Sequence, residues 1–272
     1  MLEIALVQLR SPATQEAALA HASPLIREAA ANGARLILTP EGTNLLQRDR
    51  KALLATITAM EDDVCVTGLR ALASELDVWL LIGSAMVARK DGKAANRSIL
   101  VDPSGDFAAT YDKVHLFDVD LAGGERYRES ASFEPGDRAA VAEVDDVRLG
   151  LSVCYDLRFP ALYRALAKAG AQALSVPAAF TRPTGAAHWQ ILLRARAIET
   201  GAFVLAAAQG GTHEDGRQTW GRSTVVAPWG EIVVVADHDE PCVIRASIDP
   251  AESARARASI PALEHDRVFA GP

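Results

Sequence analysis

Leu149-Gly-Leu-Ser-Val-Cys154-Tyr-Asp-Leu-Arg-Phe-Pro160 is the stretch of sequence that decides the fold. Apolar residues alternate with smaller or polar ones up to Val153, which is the pattern of a β-strand. Pro160 then opens a predicted helix over 161–169. Cys154 therefore lies where a strand ends and the chain reverses, with backbone N–H groups nearby that can bind an oxyanion. The alternative is a buried structural cysteine, the usual role of a free cysteine.

Strands and helices alternate on both sides of this stretch. Strands are predicted over residues 2–8, 34–39, 78–85, 95–101, 106–111, 172–176, 203–208, 219–227, 232–235 and 243–248. Helices are predicted over 14–32, over 49–76 in at least two pieces, over 188–200 and after Asp249. No linker, repeat or low-complexity segment interrupts this order. We expect a single α/β domain over residues 1–272, with a layered sheet core and helices outside.

Three local features qualify this expectation. Pro24 is predicted to kink or divide the first helix, with Ser23 as a second N-cap. Residues 113–136 are polar, aperiodic and contain glycine, so we expect a long functional loop there. Residues 177–187 are likewise interpreted as a loop. The tail from about residue 259 is expected to be irregular.

Composition excludes several classes of protein. The chain has 272 residues, of which 49% are hydrophobic, and a net charge of −7, which disfavours binding to nucleic acid. No run approaches the ~18 apolar residues of a membrane span. Three scattered cysteines and six histidines show no disulfide or metal-binding spacing, and no nucleotide-binding glycine motif is present. The sequence starts in a strand pattern rather than a signal peptide, so we expect a cytoplasmic protein.

Glu41, Lys113 and Cys154 each follow the end of an apolar strand. Strand ends often converge on one edge of a layered α/β fold, where binding sites form. The three side chains are therefore candidates for one site. Alternatively, Glu41 caps the next segment, Lys113 is a solvated surface lysine and Cys154 fills the core.

Three segments resemble, in order and spacing, the signature blocks of the nitrilase (carbon–nitrogen hydrolase) superfamily. They are Thr39-Pro-Glu41, Tyr111-Asp-Lys113-Val-His-Leu-Phe and Ser152-Val-Cys154-Tyr-Asp-Leu-Arg158-Phe-Pro. The resemblance extends from the first strand to Asp249. It implies a four-layer αββα sandwich, no cofactor, and a homodimer or higher homo-oligomer in which the tail makes contacts.

The resemblance also implies a catalytic triad of Glu41, Lys113 and Cys154. A thiol attacks an amide carbonyl only as thiolate, so Glu41 is expected to act as its base. Lys113 and the backbone N–H of Tyr155 are expected to bind the oxyanion. Glu129 matches a second glutamate of the family, which orients the lysine or the substrate; the alternative is a surface glutamate. Cys65 and Cys242 are assigned to packing.

Downstream segments are similar to the branch that contains deaminated-glutathione amidase and ω-amidase. These segments are Pro177–Trp189, Leu193–Thr200, Ala206–Gln209 and Trp220–Gly230, and the last two favour deaminated-glutathione amidase. Branch members cleave 2-oxo dicarboxylic acid monoamides, releasing 2-oxoglutarate with cysteinylglycine or ammonia. Because members differ over 210–215, the resemblance does not determine the leaving group.

This branch implies a binding site for an anionic acyl group. Arg158 matches its carboxylate-binding arginine, although a salt bridge to Asp156 or to a loop carboxylate is an alternative. Phe180 and Thr184 match residues that line the acyl pocket, although loop packing is the alternative. A further set on the predicted helix over 188–200 is interpreted as a structural polar cluster: Arg194, Arg196 and Glu199.

The leading hypothesis is thus a cofactor-free amidase acting on a small anionic amide, most simply deaminated glutathione. An ω-amidase acting on 2-oxoglutaramate, or another hydrolase of small aliphatic amides or carbamoyl groups, stays open. A nitrilase fits less well because Arg158 suits an oxo acid better than a hydrophobic nitrile. A binding or scaffold protein is disfavoured by the intact Glu41, Lys113 and Cys154, and a redox protein by the lack of a second cysteine near Cys154.

Overall fold

The computed structural model describes residues 1–120, 124 and 126–271. Its described part contains six α-helices: α1 (Gln15–Ala31), α2 (Arg50–Thr56), α3 (Val64–Leu76), α4 (Pro160–Lys168), α5 (Arg182–Thr200) and α6 (Pro250–Ser259). Two 3₁₀ turns cover Glu129–Ala131 and Cys154–Arg158. None of the helices in these ranges is both long enough and apolar enough to cross a membrane.

The strands of the described chain fall into two halves on either side of residue 137. The first half contains β1 (Leu2–Gln8), β2 (Leu36–Leu38), β3 (Trp79–Ala88), β4 (Ala94–Val101), β5 (Phe107–Asp112), β6 (Asp118–Asp120) and β7 (Arg126–Arg128). The second half contains β8 (Ala140–Val144), β9 (Val147–Leu151), β10 (Ala173–Ser175), β11 (Phe203–Ala206), β12 (Gly210–Thr212), β13 (Gln218–Trp220), β14 (Thr224–Val226), β15 (Ile232–Val235) and β16 (Cys242–Ile248).

Twelve strands form two six-stranded sheets that share one plan. The strand orders are β16-β1-β2-β3-β4-β5 and β15-β14-β11-β10-β9-β8. In each sheet three central strands run parallel, with Leu36 of β2 opposite both Ile4 and Trp79, and antiparallel strands lie at both ends. Parallel neighbours need crossover connections, which α1 and α3 supply in the first sheet and α4 and α5 in the second.

The side chains of β2 show how the layers are stacked. Leu36 and Leu38 belong to a buried cluster that also contains Leu149 of the second sheet, whereas Ile37 points to a cluster with Ile26 of α1. This two-sided burial explains why the strand is uninterruptedly apolar. Helices α1 and α3 cover the first sheet, and α4 and α5 contact the second. The predicted α/β class and four-layer αββα sandwich are confirmed.

Helix α1 continues through Pro24, so the prediction that this proline divides the helix is wrong. The Ser23 hydroxyl donates to the carbonyl of Leu19 (2.6 Å) instead of capping a second helix. Buried Ala22 and Ile26 lie on either side of the proline. Packing of this apolar face against the sheet therefore outweighs the single backbone hydrogen bond that proline removes.

Helix α5 begins at Arg182, six residues before the predicted start, so the interpretation of residues 177–187 as a loop is wrong in its second half. Pro183 lies in the first turn, where its missing N–H costs nothing. Gly185 is required by close packing, because a Cβ at this position would lie 2.3 Å from the Trp220 side chain. The earlier start places Thr184 on a helix rather than in a loop.

The predicted loop over 113–136 contains more structure than expected. Strands β6 and β7 pair as a short antiparallel ribbon, with Val119 opposite Tyr127. Residues 121–123 and 125 of this loop lie outside the described residues. The ribbon is too short to show the periodicity of a strand in the sequence.

Candidate active site

A cavity of about 390 Å³ lies at the edge of the sandwich where β2, β5 and β9 end. Its volume is typical of sites for small molecules, which are commonly ~300–1,000 Å³. All eight residues predicted to act in catalysis or substrate binding line it: Glu41, Lys113, Glu129, Cys154, Tyr155, Arg158, Phe180 and Thr184. The structure therefore brings together residues that are up to 143 positions apart in the chain, from 41 to 184.

Cys154 lies at the predicted chain reversal, three residues after β9 ends. Its φ angle is +50°, in the left-handed region that non-glycine residues rarely adopt. The Cys154 N–H donates to the carbonyl of Pro177 (2.9 Å), and the Val153 N–H donates to the carboxylate of Asp156 (2.8 Å). Such a strained residue persists only where its surroundings fix it, and strain of this kind clusters at active sites.

Asp156 joins the segment that carries Cys154 to the segment that carries Lys113. Its buried carboxylate accepts hydrogen bonds from the Tyr111 hydroxyl (2.7 Å) and from the His115 N–H (3.0 Å). His115 Nδ1 lies 2.7 Å from the same carboxylate. Because Asp156 is used in this way, the alternative that it pairs with Arg158 is wrong.

Glu41 is 6% exposed, and its carboxylate shares the cavity with the other members of the predicted triad, Lys113 and Cys154. It accepts hydrogen bonds from Lys113 Nζ (2.9 Å), from the Ala179 N–H (3.0 Å) and from Asn96 Nδ2 (2.9 Å). The Cys154 thiol is close enough for this carboxylate to raise the pKa of the thiol. Glu41 is therefore placed to take the proton of the thiol.

Lys113 lies between two carboxylates, since its Nζ is 2.9 Å from Glu41 and 2.8 Å from Glu129. Asn96 Nδ2 donates to the same two carboxylates, at 2.9 and 3.1 Å. The Phe117 N–H donates to Glu129 (2.6 Å) and holds it in place. Sequence analysis missed Asn96 because it lies inside strand β4 and has no motif of its own.

Burial and pairing together set the charges of the triad. Burial opposes the charged form of Glu41, but the Lys113 ammonium and the hydrogen bonds outweigh it and lower the pKa of Glu41. Burial likewise opposes the charge of Lys113, but the carboxylates of Glu129 and Glu41 raise its pKa well above the ordinary value. Burial and the Glu41 carboxylate raise the pKa of Cys154. The resting site thus holds a carboxylate, an ammonium and a neutral thiol.

Arg158 extends along the wall of the cavity beside aromatic rings. Its guanidinium lies 5.3 Å from the centre of the Phe180 ring and 5.9 Å from that of Tyr155, and it contacts His188 Nδ1 at 3.3 Å. Within the described ranges it forms no ion pair with a carboxylate. The Thr184 and Thr181 hydroxyls contact each other at 2.8 Å on the same wall. A guanidinium in this setting can bind a carboxylate of a ligand.

The remaining candidates from the sequence lie away from the cavity. Arg196 binds Glu199 (2.9 Å) and the carbonyl of Leu157 (3.0 Å), and Arg194 donates to the carbonyl of Gly230 (2.7 Å). The predicted structural cluster is confirmed for Arg196 and Glu199, whereas Arg194 bonds elsewhere and is not part of it. Among the residues that the structure describes, no group of three or more His, Cys, Asp or Glu side chains is arranged to hold a metal ion.

The other two cysteines are also outside the cavity. Cys65 is buried in the cluster between α3 and the first sheet, and burial raises its pKa. Cys242 is half-buried on β16 and is a free thiol. Of the three cysteines, Cys154 is the one that lines the cavity, together with the carboxylate of Glu41.

Comparison with known proteins identifies the family to which this chain belongs. A family model described as carbon-nitrogen hydrolase matches residues 3–258, so this chain belongs to that family. It is a hydrolase that acts on carbon–nitrogen bonds other than peptide bonds.

Individual proteins of known name or structure are similar to this chain over most of its length. The deaminated glutathione amidase of Yersinia enterocolitica is 39% identical over 97% of this chain and 92% of its own length. The deaminated glutathione amidase of Synechocystis sp. (strain PCC 6803 / GT-S) is 42% identical over 92% of each chain. Among solved structures, this chain is similar to Saccharomyces cerevisiae Nit3, a member of branch 10 of the nitrilase superfamily. The two sequences are 27% identical, the alignment covers 98% of this chain and 97% of Nit3, and the TM-score is 0.87.

Proposed function

We propose that this enzyme hydrolyses deaminated glutathione to 2-oxoglutarate and cysteinylglycine. The observation that carries the proposal is a buried Glu41–Lys113–Cys154 cluster in a cavity whose wall holds the guanidinium of Arg158, which has no carboxylate partner among the described residues. The names of the relatives point to the same substrate. The chemistry of the site supports an amide with an anionic acyl group.

Acylation begins when Glu41 accepts the Cys154 proton and the sulfur attacks the amide carbonyl carbon. The carbonyl oxygen becomes an oxyanion, which Lys113 Nζ and the backbone N–H of Tyr155 stabilise. Tyr155 is the second residue of the 3₁₀ turn Cys154–Arg158, and N–H groups at the start of such a turn have no partner within it. Each such donor is worth about 3–4 kcal/mol of barrier.

The tetrahedral intermediate then collapses to a thioester. Glu41 gives its proton to the amide nitrogen, the C–N bond breaks, and the amine leaves. In the second half, Glu41 takes a proton from water, the oxygen attacks the thioester carbonyl, and the C–S bond breaks. The proton on Glu41 returns to the sulfur and restores the neutral thiol. Throughout, Glu129 and Asn96 hold Lys113 and Glu41 in position.

We assign Arg158 to the carboxylate of the 2-oxo acid, with Phe180 and Thr184 lining the acyl pocket. Arg158→Ala is expected to raise KM for 2-oxo acid amides about 10- to 100-fold, because a charged hydrogen-bond pair is lost. Steady-state kinetics measure this effect. Arg158→Lys keeps the charge without the two-pronged geometry and should recover part of the loss. An unchanged KM in Arg158→Ala would remove this assignment.

The substrate is tested by comparing two amides that share one acyl group. Cysteinylglycine release from deaminated glutathione and ammonia release from 2-oxoglutaramate are measured with the same enzyme. The proposal expects a higher kcat/KM for deaminated glutathione. A strong preference for 2-oxoglutaramate would instead identify an ω-amidase.

We further propose that the chain forms one domain that pairs as a homodimer. Ile191 and Ile198 on α5 are exposed, exposed Trp229 lines the same surface pocket as Ile198, and a second copy of the chain would cover these apolar side chains. In the tail, Asp266 pairs with Arg164 and Lys168 of α4, so the tail packs beside this surface.

Sedimentation velocity tests the proposal of a homodimer. The wild type should sediment as a dimer and Ile191→Glu as a monomer, and a wild-type monomer would contradict the proposal.

We propose a cytoplasmic location because the three cysteines are free thiols, which suits a reducing compartment. Cell fractionation measures this directly. Recovery of the enzyme in an oxidising compartment would contradict the proposal.

A further inference from the structure

The wall of the cavity carries more cationic groups than the acyl half of the reaction uses. Besides Lys113, six arginines line it: Arg48, Arg50, Arg126, Arg128, Arg158 and Arg217. Asp120 pairs with Arg126 (3.0 Å) and with Arg128 (2.8 Å). Arg48 and Arg50 are exposed at the rim, where water screens their charges. Arg217 is half-buried, so its charge requires an explanation.

Arg217 is held at the cavity by a hairpin. It directly precedes β13, which pairs with β12. Thr219 of this hairpin forms a bridge with Thr181, and the Trp220 N–H donates to the carbonyl of Phe180 (2.9 Å). Because Phe180 and Thr181 themselves line the cavity, these contacts fix the hairpin against its wall.

The Arg217 side chain lacks the partner that its burial calls for. Its Nε is buried and has no hydrogen-bond partner in the part of the chain that the structure describes. Nor does the guanidinium form an ion pair there. A buried donor left unpaired is costly, so this group calls for an explanation, and a ligand bound in the neighbouring cavity is one. A planar guanidinium is suited to a carboxylate, which it can bind with two parallel hydrogen bonds.

We infer that Arg217 binds the glycine carboxylate of the cysteinylglycine leaving group. This inference rests on the proposed function and names the part of the site that selects the substrate. Deaminated glutathione carries two carboxylates, one at the 2-oxo acid end and one at the glycine end. Arg158 takes the first and Arg217 takes the second. 2-Oxoglutaramate has only the first, so Arg217 distinguishes the two amides.

The test measures kcat/KM of wild type and Arg217→Gln on three substrates. These are deaminated glutathione, its analogue with glycinamide in place of glycine, and 2-oxoglutaramate. Arg217→Gln should lose about 10- to 100-fold on deaminated glutathione and change less than about twofold on the other two. For the wild type, kcat/KM should be lower for the glycinamide analogue than for deaminated glutathione by the same factor. For Arg217→Gln, kcat/KM should be similar for these two substrates.

Two further variants isolate the contact. Arg217→Lys keeps the charge and should recover part of the activity on deaminated glutathione. Arg222→Gln removes an arginine five positions further on, whose guanidinium lies 5.8 Å from the centre of the Trp220 ring and which does not line the cavity. This control should behave as wild type on all three substrates.

Two outcomes overturn the inference while leaving the proposed function intact. One is an equal loss on all three substrates, which would place Arg217 in the structure or the acyl site. The other is no loss on deaminated glutathione. Failure of the proposed function appears in wild type alone, as turnover of 2-oxoglutaramate without turnover of deaminated glutathione, and it would overturn the inference as well.

Discussion

Cys154→Ala is expected to lower kcat for deaminated glutathione by at least about 10⁴-fold, because it removes the sulfur that forms the acyl intermediate. Of the other cysteines, Cys65 lies in the core and Cys242 on β16, both away from the cavity. Product release by the purified variant measures the effect. Turnover near the wild-type rate would refute the mechanism.

The Cys154→Ala variant should keep its fold, because the change removes only one side-chain atom at a position that is 8% exposed. The free energy of unfolding should fall by less than about 2 kcal/mol, as for small truncations of buried side chains. Thermal unfolding checks this point. Cys242→Ala is the matched control: it removes a half-buried thiol outside the cavity and should retain full turnover.

Glu41→Gln should lower kcat by about 10²- to 10⁴-fold, the usual contribution of a general base. Glutamine has nearly the same shape but accepts no proton from Cys154 or from water. KM should change little, since Glu41 is assigned no contact with the bound acid. Steady-state kinetics of the variant measure both parameters. Glu143→Gln, on the exposed face of β8, is the control and should match wild type.

The pH profile separates the loss of a base from a general disturbance of the site. In wild type the Lys113 ammonium helps to hold the pKa of Glu41 below its ordinary value, against the effect of burial. Activity should therefore persist at neutral pH and disappear as pH falls through that lowered pKa. The Glu41→Gln variant should lack this acidic limb. A variant with wild-type kcat, or with the acidic limb unchanged, would show that another group is the base.

The positions of Glu41 and Cys154 follow from local patterns in the sequence. Each comes after a short apolar strand, β2 or β9, and parallel strands deliver their carboxyl ends to one edge of a sheet. Lys113 follows β5, the antiparallel edge strand of the first sheet. Face-to-face packing of the two sheets is what brings these edges together, and that packing follows from the two-sided burial of strands such as β2.

Asn96 and Asp156 were beyond such reasoning because their partners are distant in sequence. Asn96 binds carboxylates 55 and 33 positions away, and Asp156 binds Tyr111, 45 positions away. From the sequence, a salt bridge between Asp156 and Arg158 was an alternative because the two are neighbours in the chain. The folded chain instead offers it hydrogen-bond donors from the segment around Lys113. Long-range pairing of buried polar groups is thus decided by tertiary packing rather than by motif.

The place of Arg217 at the cavity could not be predicted from local sequence either. In sequence it is one of several charged residues in the turn between β12 and β13, residues 213–217. The pairing of β13 with Phe180 and Thr181 is what places Arg217 on the cavity wall. The start of α5 was missed for a related reason, since Thr, Pro and Gly are typical of loops unless a partner such as Trp220 fixes them in a helix.

Rapid-quench mass spectrometry of the peptide that carries Cys154 tests the central claim most directly. Wild-type enzyme is mixed with deaminated glutathione or with 2-oxoglutaramate and quenched in acid during the first turnovers. The mechanism predicts the same added mass, that of the 2-oxoglutaryl group, on Cys154 from both amides and on neither Cys65 nor Cys242. Product formation with Cys154 unmodified at every time point would contradict it.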